Sequence, residues 1–116
     1  MPKIVSSPSA RDAEGAILGI VLIDSDSYHQ AREYITNGNV FYDDRNRMLW
    51  QKIQHMVSNN EHVDQITLCS DLTETDRNNG LDEFYITGLT NEAGTRENLP
   101  SYGKVIYKKY LMRRLI

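Results

Sequence analysis

The chain has one cysteine, Cys69, so no internal disulfide can hold it together, and a reducing compartment is the simpler setting. No apolar stretch approaches the roughly 20 residues that a membrane-spanning helix needs. The most apolar run, Ala16 to Ile23, has eight apolar or glycine positions. It is also a poor secretion signal. Asp12 and Glu14 stand where positive charge belongs, and no A-x-A cleavage pattern follows. Neither the G-x-x-x-x-G-K-S/T phosphate loop nor the G-x-G-x-x-G fingerprint occurs, so the usual means of cradling a nucleotide are missing. There is no basic excess. The net charge of −3 argues against a general nucleic-acid coat. No internal repeat or low-complexity segment is visible.

What is present is one domain's length, 116 residues, with apolar content of 40% and charged content of 25%, the balance of a globular chain. The charge is uneven. Met1 to Asn98 carries 8 Lys and Arg against all 16 Asp and Glu, whereas Leu99 to Ile116 carries five basic residues and no acidic one. An acidic body with a basic end suggests docking between unlike surfaces.

The apolar run reads as a helix. Ala13, Ala16, Ile17, Ile20 and Val21 follow helical spacing, and Leu18 and Leu22 fall on the opposite side, so the helix is expected to be buried on both sides. Ser9 and Asp12 form a capping-box-like start and Asp24 marks the exit. Gly15 and Gly19 would admit a close neighbouring backbone. A second short helix is expected over Ser25 to Ile35, with a turn at Thr36 to Asn39. A third, capped by Asp43 or Asp44, runs to about Asn59 with a stripe of Leu49, Trp50, Ile53, Met56 and Val57. Asn46 lies on that stripe, and a buried amide there needs hydrogen-bond partners. The partly alternating stretch His62 to Leu68 could be a strand, but a connector is favoured, leading into further helices at about Leu68 to Thr75 and Asp82 to Leu89, separated by a turn at Asp76 to Gly80.

Thr95 can cap a last helix, with Pro100 in its first turn. Leu99, Tyr102, Ile106 and Tyr110 form one stripe of it. Tyr107, Leu111 and Leu115 form a second, and Val105, Met112 and Ile116 a third. One small core cannot cover all three, so this helix should find a second partner, either a following helix or another subunit.

The candidates for chemistry are few. His55, His62, Asp64 and Asp71 match no metal-ligand spacing. Cys69 with a histidine could form a nucleophile pair, but a structural thiol is the simpler reading. The remaining carboxylates sit at helix starts, where they stabilise the dipole. Lys104, Lys108, Lys109, Arg113 and Arg114, interleaved with Tyr102, Tyr107 and Tyr110, could bind single-stranded nucleic acid. These charges do not share one face, and a packed helix with its cations snorkelling outward fits them better.

Several local patterns, in order, resemble the N-terminal domain of DnaB-type replicative helicases. They are Ala13-Glu14, Leu18-Gly19 and Leu22-Ile23-Asp24; "VFYDDRNRMLWQKI" from Val40 to Ile53; "VDQITL" from Val63 to Leu68; "YITGL" from Tyr85 to Leu89; and "YGKVIYKKYLMRRLI" at the end. The likeness runs from Ala13 to Ile116. Asn46 stands where the family commonly has His. Leu81 and Asp82 replace a double glycine, and Gly103 replaces a usual Ala. A divergent member of the family, such as a phage-encoded one, fits these departures.

The resemblance implies an all-α fold, a small helical bundle followed by the first helix of a helical hairpin. On this reading residues 1–8 are a flexible N-terminus, 9–95 a globular helical head and 96–116 the start of the hairpin, in a chain cut before a separate ATPase domain. No cofactor or metal is expected here, since ATP and Mg belong to the parent's motor domain, and no catalysis by this domain alone. The implied partners are further copies in a dimer or hexameric ring, a primase and a helicase loader. DNA would be contacted mainly by the parent's other domain, with no membrane role, in the cytoplasm of a bacterium or an infected host. Ile106, Tyr110, Leu111 and Leu115 are the expected oligomerisation residues, with Arg113 and Arg114 fixing register. Phe84 and Tyr85 are the expected partner-docking patch, with an ordinary core aromatic as the equal alternative for Tyr85. Two rival readings are a helicase-binding domain from the primase side and a small single-stranded DNA-binding protein.

Overall fold

A computed structural model describes residues 10–115. The expected cap at Ser9, the loose N-terminus and the outward face of Ile116 lie outside the described residues. The described chain holds seven α-helices and no strand: α1 Ala10–Ile23, α2 Ser27–Ala31, α3 Asp44–Ser58, α4 Gln65–Ser70, α5 Glu74–Asn78, α6 Glu83–Asn91 and α7 Leu99–Arg114. Short 3-10 turns at Gly38–Val40 and Arg96–Asn98 complete it. The fold is all-α, as expected. No helix among the described residues is long and apolar enough to cross a membrane.

α1 is the central helix. Every residue from Ala13 to Leu22 is buried, so both of its faces are covered, by α7, α6, α2 and α3 together. Gly19 makes this possible. A Cβ there would collide with the Leu89 carbonyl oxygen and come within 2.7 Å of Ala93 Cα, so α1 touches the backbone at the end of α6. Around α1 the core gathers Trp50, Phe41, Leu49, Ile53, Leu68, Leu81, Ile86 and Leu99, all fully buried. Trp50 packs between the rings of Tyr28 (5.1 Å) and Phe41 (5.7 Å).

The helix ends follow local chemistry. Asp43 caps α3, accepting from the Arg45 amide at 2.8 Å, and Asn60, at φ 58°, closes it as the Glu61 N–H returns to the Met56 carbonyl. Between α3 and α6 the boundaries depart from the sequence reading. α4 starts at Gln65 because Asp64 and Thr67 form a reciprocal capping box, with bonds of 2.8 and 2.9 Å. It ends at Ser70, inside the expected fourth helix, and Thr73 and Asp76 form a second box that starts α5 at Glu74 and carries it to Asn78, into the stretch expected to be a turn. The second helix is also shorter than expected: α2 stops at Ala31, although Ile35 is still fully buried.

α7 is preceded by the 3-10 turn, so Thr95 does not cap it, but Pro100 occupies its first turn as expected. Its Leu99, Gly103 and Ile106 are buried against α1 and α2. At Gly103 any Cβ would strike the ring of Tyr34, which sets how closely the helix approaches. Beyond Ile106 the helix emerges from the core.

Candidate functional site

Two regions are candidates, a buried polar network and the exposed apolar surface. The network begins at Glu14, a fully buried carboxylate in the middle of the apolar α1. Its oxygens accept the Tyr42 amide at 2.6 Å, the Asp43 amide at 3.4 Å and the Asn46 side-chain amide at 2.7 Å. Asn46 is 1% exposed, and its carbonyl oxygen accepts the Tyr85 hydroxyl from α6. The expected partners of the buried Asn46 amide are thus Glu14 and Tyr85. Arg45 lies 4.0 Å over the Tyr85 ring and pairs with Asp43 at 2.9 Å. Beside these groups is a cavity of about 100 Å³, reached by Arg11 and Glu92.

The ionisable groups of this network are shifted in different directions. Burial raises the Glu14 carboxyl above the ordinary range, opposed by the bonds from Tyr42 and Asn46. Tyr85 is pushed up to about 12, chiefly by burial and then by the charge of Asp43. Asp43 is lowered, first by its bond to the Arg45 side chain. The groups hold one another in place and tie α1 to the start of α3 and to α6.

The other chemical candidates are dispersed. His62 meets Asp64 at 3.2 Å, His55 meets Asn59 at 3.0 Å, and Asp71 faces Lys52 at 3.6 Å. Among the described residues no three such groups converge on a metal position. The Cys69 thiol is raised, first by burial and then by the charge of Glu83, which opposes nucleophilic activation.

The exposed apolar surface is more informative. After Ile106, α7 turns Tyr107 (38% exposed), Leu111 (42%), Met112 (49%) and Leu115 (86%) toward solvent. Met112 and Leu115, with Tyr42, Ala10 and the stems of Lys109 and Arg113, line an open groove of about 410 Å³. Arg113 is held within the chain. It donates to the Val40 carbonyl at 3.2 Å and lies 5.3 Å over Tyr42 and 5.7 Å over Tyr110. Arg114 lies 5.5 Å over Tyr110.

The expected oligomerisation residues therefore separate. Leu111 and Leu115 are exposed, Tyr110 is half-buried and packed on the core, and Ile106 is fully buried. Ile106 is corrected from the free surface to the core, because α1 and α2 cover the helix that far. The expected docking pair separates in the same way. Phe84 is 88% exposed, whereas Tyr85, one position later and about 100° around the helix, turns inward to Asn46. Tyr85 leaves the docking patch and takes the inward alternative, packed on the core and bonded into the polar network. Two residues were missed. Glu14 carried a signal, as a carboxylate set between Ala13 and the apolar run of the helix. Ile66, 78% exposed, carried none beyond its apolar character.

A family model described as "DnaB-like helicase N terminal domain" matches residues 6–108. Among curated proteins, the chain is 30% identical over 110 residues to a "Replicative DNA helicase DnaB" of Rhodothermus marinus, covering 94% of this chain and 12% of that protein. The namesake in Leifsonia xyli subsp. xyli is 30% identical over 107 residues, covering 90% and 23%. The one in Haemophilus influenzae is 24% identical over 110 residues, covering 94% and 23%. The chain spans a quarter or less of the length of the curated relatives it matches. In fold it is similar to the crystal structure of the N-terminal domain of DnaB helicase from Mycobacterium tuberculosis. The TM-score is 0.82 at 24% identity, over 95% of this chain and 80% of that one.

Proposed function

The chain belongs to the DnaB-like helicase N-terminal domain family, and from that membership we propose that it is the assembly and protein-docking domain of a hexameric replicative DNA helicase. The observation that carries this reading is the emergence of α7 from the core with Leu111, Met112 and Leu115 exposed beside an open apolar groove. Apolar side chains on one helix face are stabilised by burial against a partner, at about 1.5–3 kcal/mol for each side chain fully covered. The domain works through its surfaces. ATP and Mg act in a separate motor domain of the parent protein, which also makes the main contact with DNA. A primase and a helicase loader are the outside partners, in a bacterial or phage-infected cytoplasm.

Family membership favours this reading over a domain from the primase side. Single-stranded DNA binding by the basic end is the weaker alternative, since Arg113 is held by the Val40 carbonyl and Tyr110 packs on the core.

Light scattering on the chain at rising concentration, alone and with its cognate primase, tests the proposal. Growth beyond the monomer mass, and a further increase with primase, is the expected result. A monomer mass in both arms at every concentration would overturn it.

A further inference from the structure

Asn37 and Asn79 are the asparagines of this chain that are followed by glycine. Glycine has no Cβ, so it leaves its own peptide nitrogen unshielded and free to attack the side-chain amide of the asparagine before it. Both asparagines are exposed. The fold nevertheless treats the two sites differently.

At the end of α5 the reacting groups are engaged elsewhere. The Asn79 side-chain amide donates to the Thr75 carbonyl at 3.0 Å, which draws it back along the helix. The Gly80 N–H donates to the Arg77 carbonyl at 3.0 Å. Asn37 has the opposite arrangement. It is extended, at φ −160° and ψ 170°, ahead of the Gly38–Val40 turn, and its side-chain oxygen accepts the Asn39 N–H at 2.8 Å. That bond spans Gly38. It closes a small ring that holds the Asn37 amide carbon on one side and the Gly38 nitrogen on the other. It also sets a donor on the oxygen where negative charge develops during attack. The Gly38 N–H has no hydrogen-bond acceptor among the described residues.

We propose that Asn37 is a site of spontaneous deamidation in the folded protein and that the fold protects Asn79. Hydroxide takes the proton from the Gly38 nitrogen, and that nitrogen bonds to Cγ of Asn37. The bond from Cγ to Nδ2 breaks, and the side-chain nitrogen leaves as ammonia with a proton from water. A cyclic imide remains. Water opens it at Cγ to give aspartate, or at the main-chain carbonyl carbon to give isoaspartate. One water is consumed and one ammonia released, with no change of oxidation state.

The effect reaches α7. Isoaspartate routes the main chain through the side-chain carbon and so lengthens it just before the turn. In that turn the Val40 carbonyl accepts Arg113 at 3.2 Å, and Gly38 packs so closely that a Cβ would lie 3.2 Å from the Arg47 carbonyl oxygen. A longer chain displaces both contacts, so the modification loosens the hold on the end of α7.

Incubation in mildly alkaline buffer, with and without urea, followed by tryptic mass mapping, tests this. Arg45 and Arg77 lie between the two sites, so each site falls on its own peptide. In the folded protein Asn37 should convert about tenfold or more faster than Asn79, the rate equivalent of the two hydrogen bonds that Asn79 and Gly80 must break. In urea the two rates should converge. Asn37→Ser keeps a capping oxygen without an amide to lose, and its peptide should stay unmodified at that position. The isoaspartate fraction, separated by ion exchange, should show faster hydrogen exchange in α7 beyond Ile106. Equal rates in the folded protein, faster loss at Asn79, no loss at either site, or a preference that persists in urea would each overturn the assignment. Unchanged exchange in α7 would overturn its link to that helix.

Discussion

The side-chain amide of Asn46 on α3 donates to the carboxylate of Glu14 on α1 at 2.7 Å, across 32 residues of sequence, and both groups are buried. A charge-capable group in the middle of the central helix is tolerated because Asn46 and the amides of Tyr42 and Asp43 surround it.

Replacing Asn46 by leucine should therefore be costly. It removes one donor from Glu14 and leaves the Tyr85 hydroxyl without its acceptor. A loss of about 2–4 kcal/mol is expected from urea denaturation. Asn46→His should cost less, because an imidazole can donate through one nitrogen and accept through the other. Equal losses would show that the site responds only to volume.

Glu14 and Asp43 should affect the pH dependence with opposite signs. Burial raises the folded Glu14 carboxyl, so its contribution to stability is full below the ordinary glutamate value of about 4.3 and is lost as pH rises through the folded value. The Arg45 side chain lowers Asp43, so its contribution is present above about 3.9 and is lost as pH falls through the lowered value. Denaturation at pH 4 and pH 7 should show Glu14→Gln costing more at pH 4 than at pH 7. Asp43→Asn should cost more at pH 7 than at pH 2. The reverse order in either pair would contradict the geometry.

Two glycines in facing helices should respond oppositely to alanine. At Gly19 the new methyl meets the Leu89 carbonyl and Ala93, so α1 and α6 must separate, at about 1–3 kcal/mol. At Gly88, inside α6, nothing lies within 4 Å, and the change should stabilise by about 0.5–1 kcal/mol. Melting temperatures of the two variants check both signs.

Thr73→Ala should lower stability by about 1 kcal/mol, since the Thr73 hydroxyl accepts the Asp76 amide at 3.1 Å and starts α5. Thr75→Ala is the control: this residue is exposed and its side chain makes no cap. A similar loss in both would mean the box contributes nothing measurable.

The long helices were legible because their apolar periods are strong. α3 begins and ends within a residue of its expected bounds, and the two-sided burial of α1 followed from Leu18 and Leu22. The short helices α4 and α5 were blurred because they have too few turns to show a period. Their signals were the paired caps Asp64 with Thr67 and Thr73 with Asp76. Which of Phe84 and Tyr85 faces outward depends on where Asn46 lies, 39 residues before Tyr85 in sequence, and no local pattern contains that. The stripe through Ile106 was visible, but how far α1 and α2 cover α7 is a tertiary matter.

The central claim is that the exposed end of α7 exists to be covered by another protein surface. Sedimentation equilibrium of the wild type against Leu111→Glu with Leu115→Glu, each with its melting curve, tests this most directly. The account predicts association weakened about tenfold or more, equivalent to at least about 1.4 kcal/mol, with melting unchanged. Association of equal strength in the two proteins would contradict it.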